Sequence, residues 1–213
     1  MKIKTIITIL FTVCILIAIS IFNSADTFAI WSSSFSDTTE VDANIDKRND
    51  SLKYIIFMPL KDGKHLEHEI TNDTDFDSFV AVGYTGLLDY IEFPDEYTLA
   101  INDEVITKPV TAILSLSDDQ YSTIPLYLDN KLYVDKTIAA FKSNLFIKKL
   151  IISSSVNEIG AAVFAGCISL NTIIFNPSQT PLEIGVKAFN NCNNITSIVY
   201  NDRVINSQYS DLP

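Results

Sequence analysis

Ala140-Phe141-Lys142-Ser143-Asn144-Leu145-Phe146-Ile147-Lys148-Lys149-Leu150 sets a pattern that the chain writes twice more. Val163-Phe164-Ala165-Gly166-Cys167-Ile168-Ser169-Leu170-Asn171-Thr172-Ile173 follows it, and so does Ala188-Phe189-Asn190-Asn191-Cys192-Asn193-Asn194-Ile195-Thr196-Ser197-Ile198. In each copy Phe is followed by Asn or Cys three residues on, then by aliphatics at six and at nine. The phenylalanines stand 23 and 25 residues apart. A period of that size marks repeated units, none of which can bury its apolar residues alone. Phe141, Phe164 and Phe189 are therefore expected to lie one above another inside a stack.

Within the repeat, the pattern aliphatic-x-x-aliphatic-x-large occurs five times, ending at Phe57, Phe93, Ile152, Phe175 and Tyr200. Its last three positions alternate inward, outward, inward, which predicts a short strand with one buried face. Ile56, Glu92, Ile151, Ile174 and Val199 then take equivalent outward sites, and the last three would form an aliphatic column. Rungs about 4.8 Å apart would make that column one continuous apolar strip. Lys149, Thr172 and Ser197 would flank it on one side, and Ser153, Asn176 and Asn201 on the other. Such strips often mark binding faces. The competing explanation is that β-branched residues suit strands anyway, or that another part of the chain covers them.

The net charge of -11 argues against a nucleic-acid partner, because phosphate neutralisation needs clustered Lys and Arg. No CxxC pair, GxGxxG or GxxxxGK occurs, so zinc, dithiol and phosphate-loop chemistry lack their residues. Lys2 and Lys4 precede an uncharged run of 18 residues, Thr5 to Phe22, with no polar face. That reads as an export segment, residues 1–29, with the remainder sent outside. Thr27-Phe28-Ala29 carries small residues where a signal peptidase cuts, so a cleaved signal and a retained membrane anchor both fit. Residues 30–51, rich in Ser, Thr, Asp and Asn, read as a disordered tether. Residues 52–135 read as degenerate or inserted repeat material, with a separate small β-unit as the alternative. Thr98 to Val110 and Thr111 to Leu116 alternate like strands. Tyr121 to Leu128 and Lys131 to Val134, joined by Asp129-Asn130, predict a hairpin. Residues 136–213 hold the repeats and a polar C-terminal cap.

Ser155-Val156-Asn157-Glu158-Ile159-Gly160, then Phe164, Cys167, Leu170 and Ile173, resemble the BspA-like class of leucine-rich repeat, and Glu183-Ile184-Gly185 through Cys192 resemble it again. Three departures stand out: Asn144 replaces Cys, Lys136-Thr137 replaces Ile-Gly, and Gln179-Thr180-Pro181 lengthens a turn. The resemblance implies an α/β solenoid, a leucine-rich-repeat stack of short parallel strands with short helices or turns, behind an N-terminal hydrophobic export helix. It implies Asn144, Cys167 and Cys192 at a turn whose backbone groups they satisfy. It further implies an exported or cell-surface protein used for adhesion or protein binding, with no shared catalytic residues.

Three other clusters invite chemistry. Cys167 and Cys192 could form a disulfide outside the cell, or pack as buried thiols. His65-Leu66-Glu67-His68-Glu69 offers two histidines but no third ligand, which favours a solvated turn. Asp73, Asp75 and Asp77 begin like a calcium loop, yet Ser78 stands where that loop needs Gly. The chain is thus expected to need no cofactor, with weak calcium binding at these three as the exception. The expected partner is an extracellular protein or glycan met through the sheet face, with the membrane reached through the N-terminal segment if it is retained. The rivals are a secreted metal-dependent hydrolase built on His65, His68 and Asp73–Asp77, and a non-binding spacer.

Overall fold

The computed structural model describes residues 51–135 and 137–207. The readings of residues 1–50 as export segment and tether, and of 208–213 as the end of the cap, lie outside them. Strands β1 (Ile55–Lys61), β2 (Lys64–His65), β3 (Ser78–Tyr84), β4 (Tyr90–Glu92), β5 (Glu96–Ile101) and β6 (Glu104–Ile113) come first. A six-residue helix α1 (Asp118–Thr123) and a small hairpin, β7 (Tyr127–Leu128) and β8 (Lys131–Leu132), follow. The repeats then supply β9 (Lys149–Ile152), β10 (Glu158–Ile159), β11 (Thr172–Phe175), β12 (Leu182–Ile184), β13 (Ser197–Tyr200) and β14 (Ile205–Ser207).

Four of these strands make a parallel sheet in the order β13-β11-β9-β4. Its register runs Tyr90, Lys149, Thr172, Ser197 across one row and Ile91, Leu150, Ile173, Ile198 across the next. A second, ten-stranded sheet has the path β14-β12-β10-β6-β3-β1-β7-β8, with β2 added to β1 and β5 to β6. Each repeat thus gives one strand to each sheet, and the chain turns between them around the buried phenylalanines. The rings of Phe141 and Phe164 are 5.3 Å apart and those of Phe164 and Phe189 5.4 Å, as the period requires. Leu150, Ile152, Ile173 and Phe175 point inward to the same core.

Turns rather than helices connect the strands of the repeats, so the expected α/β content is nearly all β; α1 is the one α-helix among the described residues. The signature Ile-Gly has a steric cause. A Cβ on Gly185 would lie 2.5 Å from Ala161 N and 2.7 Å from Gly160 C, backbone that cannot move aside. Gly185 N–H donates to Ile159 O at 2.7 Å and Gly160 N–H to Ile113 O at 2.8 Å. The coil before β10 is closed by β6, whose Ala112 and Ile113 pair with Glu158 and Ile159. The Ile-Gly place before β10 is thus filled by β6.

The broken period between residues 89 and 146 has a similar explanation. β4 sits in the repeat sheet and the end of β6 in the other, so they form a coil of their own. The long β5–β6 hairpin is inserted between them, its neck closed by Val110 N–H on Asp95 O at 2.9 Å. Residues 114–138 are a second insertion, carrying α1 and the β7–β8 hairpin. The expected strand at Tyr121 is a helix because Ser117 and Gln120 form a capping box and Tyr121 turns inward, its hydroxyl donating to Val82 O at 2.9 Å. Two-residue turns at Asp62-Gly63, Asn102-Asp103 and Asp129-Asn130 all carry positive φ, the geometry of tight hairpins.

One reading is overturned outright. Ile55-Ile56-Phe57 is not a repeat strand. β1 lies inside the mixed sheet, antiparallel to β3 and β7, and Ile56 is wholly buried between that sheet and α1's cluster. Spacing matched the repeat, but both faces of this strand are covered, as its run of five consecutive buried residues shows.

Candidate interaction face

The four-stranded parallel sheet brings Glu92, Ile151, Ile174 and Val199 into one row. Ile151 and Ile174 are partly exposed, and Val199, on the edge strand, is 38% exposed. Lys149 and Thr172 beside them are also partly exposed, and Ser197 fully so. On the other flank Asn176 and Asn201 remain partly exposed, each donating its backbone N–H to the coil before, on Ile152 O and Phe175 O. The outer edge of β4 is closed by Ser51, whose hydroxyl meets the backbone N–H and C=O of Glu92 at 3.2 and 3.4 Å. The result is a flat aliphatic strip with a polar border, ending in a carboxylate.

Two residues leave the expected face. Ile56 lies in the other sheet, as described above. Ser153 is 2% exposed, and its hydroxyl donates to Pro94 O at 3.0 Å. It starts a hydrogen-bonded corner running up the stack: Ser155 Oγ to Val110 O at 2.8 Å, Ser178 Oγ to Ser154 O at 2.7 Å, and Arg203 Nη1 to Ser153 O at 2.7 Å. Arg203 also donates from Nη2 to Val156 O, so one buried guanidinium ties the corner between β13 and β14 to the corner between β9 and β10, two coils back. Sequence reasoning missed this corner, although Ser153-Ser154-Ser155 and Ser178 were visible as small hydroxyls at one repeat position.

The Asn/Cys position serves two purposes. Asn144 Oδ1 accepts from its own turn, from Phe146 N at 2.8 Å and Ile147 N at 3.1 Å. The cysteines instead reach the coil before: Cys167 Sγ donates to Phe141 O at 3.2 Å and Cys192 Sγ to Phe164 O at 3.1 Å. Both thiols are free and buried. The Cys167 thiol is pushed up, first by its hydrogen bond with Cys192 and then by burial, so neutral pH leaves no thiolate there to act as a nucleophile.

The acidic residues singled out for calcium do not converge. Asp73 pairs with Lys108 at 2.6 Å, and Asp77 with Lys61 at 2.8 Å. Asp75 Oδ2 takes the backbone N–H of Thr71 at 2.7 Å and of Asn72 at 3.1 Å, which holds its carboxyl below the usual range. Each carboxylate is turned to its own partner in the protein. His65 lies in exposed β2, and exposed His68 borders a cleft of about 390 Å³ shared with Glu67, Glu69, Ser122 and Tyr133. Among the described residues no three His, Cys, Asp or Glu side chains gather to hold a metal. Among them, too, no helix is long and apolar enough to cross a membrane.

Residues 137–210 match the model of the BspA type leucine rich repeat region, in 6 copies. Among solved structures, the chain is similar to a leucine rich cell surface protein from Faecalibacterium prausnitzii, with 20% identity, 65% of this chain covered and a TM-score of 0.41. The chain spans 29% of that protein's length. No curated protein matches. The stacked phenylalanines, the Ile-Gly contacts and the parallel ladders accord with that match: residues 137–210 of this chain are similar to a BspA type leucine rich repeat region.

Proposed function

We propose that this chain is a non-catalytic interaction module, exported to the cell surface, whose four-stranded sheet meets an extracellular protein or glycan. The observation that carries the reading is the in-register row Ile151, Ile174, Val199, half-exposed on the outer face and bordered by Lys149, Thr172, Ser197, Asn176 and Asn201. An aliphatic strip inside a polar border is how a protein ligand is held: apolar contact at the centre supplies affinity and the border supplies direction. Export rests on Lys2, Lys4 and the apolar run after them. The reading calls for no cofactor and no nucleic acid, and places any adhesive role on this face.

The test is binding to an array of purified extracellular proteins and glycans, comparing the full chain with its Ile174→Asp and Val199→Asp variants. Loss of the same captured ligands by both variants, with thermal unfolding close to that of the parent, supports the sheet face. Ligands retained at parental strength by both variants would remove it.

A further inference from the structure

We propose that the turns leading into the four-stranded sheet form a second surface, basic and apolar, that docks on an anionic bilayer. Leu87 is 73% exposed, Leu145 57%, Phe146 51% and Ile168 49%. These four are not scattered. Leu87 precedes Tyr90 by the three residues that separate Phe146 from Lys149, and Tyr90 and Lys149 are ladder partners. Lys148 N–H donates to Asp89 O at 2.6 Å, which continues that register into the turns. One coil further, Ser169 Oγ donates to Leu145 O at 2.7 Å and brings the turn of Ile168 against that of Leu145. Four large apolar side chains thus stand on the turns of three adjacent coils.

The charge around them runs opposite to the rest of the chain. Overall there are 26 Asp and Glu against 15 Lys and Arg. Within three residues of these apolar tips stand Lys142, Lys148 and Lys149, and the one acid is Asp89, paired with Lys148 at 3.4 Å. Lys53 joins them through Tyr54, whose carbonyl accepts from Thr85 N–H at 2.9 Å and whose ring Lys53 Nζ approaches to 5.1 Å. Apolar tips ringed by lysines fit the boundary between acyl chains and anionic headgroups. An amphipathic peptide would call for a groove, whereas these side chains crown turns, and turn tips suit a flat, yielding surface. Docking by the turns shares only Lys149 with the border of the sheet face, whose row Ile151, Ile174 and Val199 lies further along the strands. The proposal is independent of that face's ligand.

Amide hydrogen exchange on the full chain, reconstituted in vesicles, reads the surface locally. Phosphatidylcholine vesicles with and without phosphatidylglycerol are compared at low salt. Anionic vesicles should slow exchange in residues 85–89, 142–149 and 166–170, leaving the β5–β6 turn at Asn102 and Asp103 unchanged. High salt should abolish the protection, as should Leu145→Ser with Phe146→Ser. Lys142→Gln, at an exposed position outside the sheet face, should reduce it roughly fivefold, the value of one lysine near an anionic surface. Equal exchange in both kinds of vesicle overturns the proposal, and so does protection that appears only when an acidic protein is added.

Discussion

In residues 137–207 a buried ring meets its own equivalent one coil away. Phe141, Phe164 and Phe189 form a single file, and Phe175 stacks on Tyr200 at 5.4 Å. In residues 55–133 the rings meet unlike partners: Phe57 stacks on Tyr97 at 4.0 Å, and Phe79 meets Tyr97 and Phe76 at 4.9 Å each. Both sets belong to one continuous core, with Phe93 touching Phe141 at 5.6 Å and Phe164 at 6.2 Å. The difference lies in how the contact is specified. A stack needs one rule repeated, whereas the mixed sheet needs a separate agreement at every pair.

If the two regions are one cooperative unit, a cavity in either should lower the same transition. Phe164→Ala removes a wholly buried ring with neighbours on both sides, and should cost about 3–5 kcal/mol. Phe79→Ala, also wholly buried, should cost about as much in the other region. Urea unfolding followed by circular dichroism is expected to give one transition in both variants, moved to lower denaturant. Two separated transitions in either variant would break the unity of the core.

Alkali should distinguish the regions. Burial pushes Tyr97 and Tyr121 up to about 12, and both lie N-terminal to the repeats. A phenol harder to ionise in the folded state stabilises that state fully below its ordinary value near 10, and the contribution is lost as pH climbs toward 12. The loss is ~2–3 kcal/mol per ring by the top of that window. Hydrogen exchange between pH 10 and 12 should therefore open β1, β3 and α1 before β9 and β11. Tyr121→Phe should make the alkaline loss shallower, at the cost of the hydrogen bond to Val82 O.

A smaller effect tests the close approach of the coils. Gly185→Ala would set a methyl against the backbone of Gly160 and Ala161, and overpacking of that kind costs about 1–3 kcal/mol. Gly63→Ala lies in a hairpin turn with open space around it and meets only its positive φ, so about 1 kcal/mol is expected. The ratio between the two, read from chemical denaturation, separates a steric requirement from a conformational one.

What could be read in the chain before its structure follows the same division. The Phe file and the parallel rows at Ile151, Ile174 and Val199 were legible because a residue's neighbour is its own counterpart, so spacing alone names the contact. Leu52-Lys53-Tyr54-Ile55-Ile56-Phe57 misled because six residues of spacing carry no information about the second face of a strand. Leu88 to Phe93 had the same spacing and did join the repeat sheet. The two differ in their charges: Glu92 lies inside one and Asp95 follows it, whereas Ile56 lies inside the other and Met58 and Leu60 follow it. Ser153 was misplaced for a further reason. Its hydroxyl is polar by type, yet it finds Pro94 O inside the corner, and a satisfied hydroxyl can be buried at little cost. The exposed Leu145, Phe146 and Ile168 were passed over because they fall between the recurring positions of the pattern, which says nothing about where they point.

The gentlest substitution carries the sharpest comparison. Ile174 sits in the central row of the repeat sheet and is partly exposed, with Ile151 on one side and Val199 on the other. Ile174→Asp removes some apolar contact between rungs and places a poor strand former in β11, which should cost about 1 kcal/mol. The neighbouring inward site offers the control: Ile173→Asp buries a carboxylate among Leu150, Phe164 and Phe175 and should prevent folding, because an unpaired buried charge is far dearer than a lost methyl. Adjacent residues of one type thus answer different questions, one about the core and the other about the face. If Ile174→Asp were to unfold the chain as Ile173→Asp does, the strip would be core rather than surface. The proposed recognition face would then fall, because no exposed apolar row would be left on that sheet.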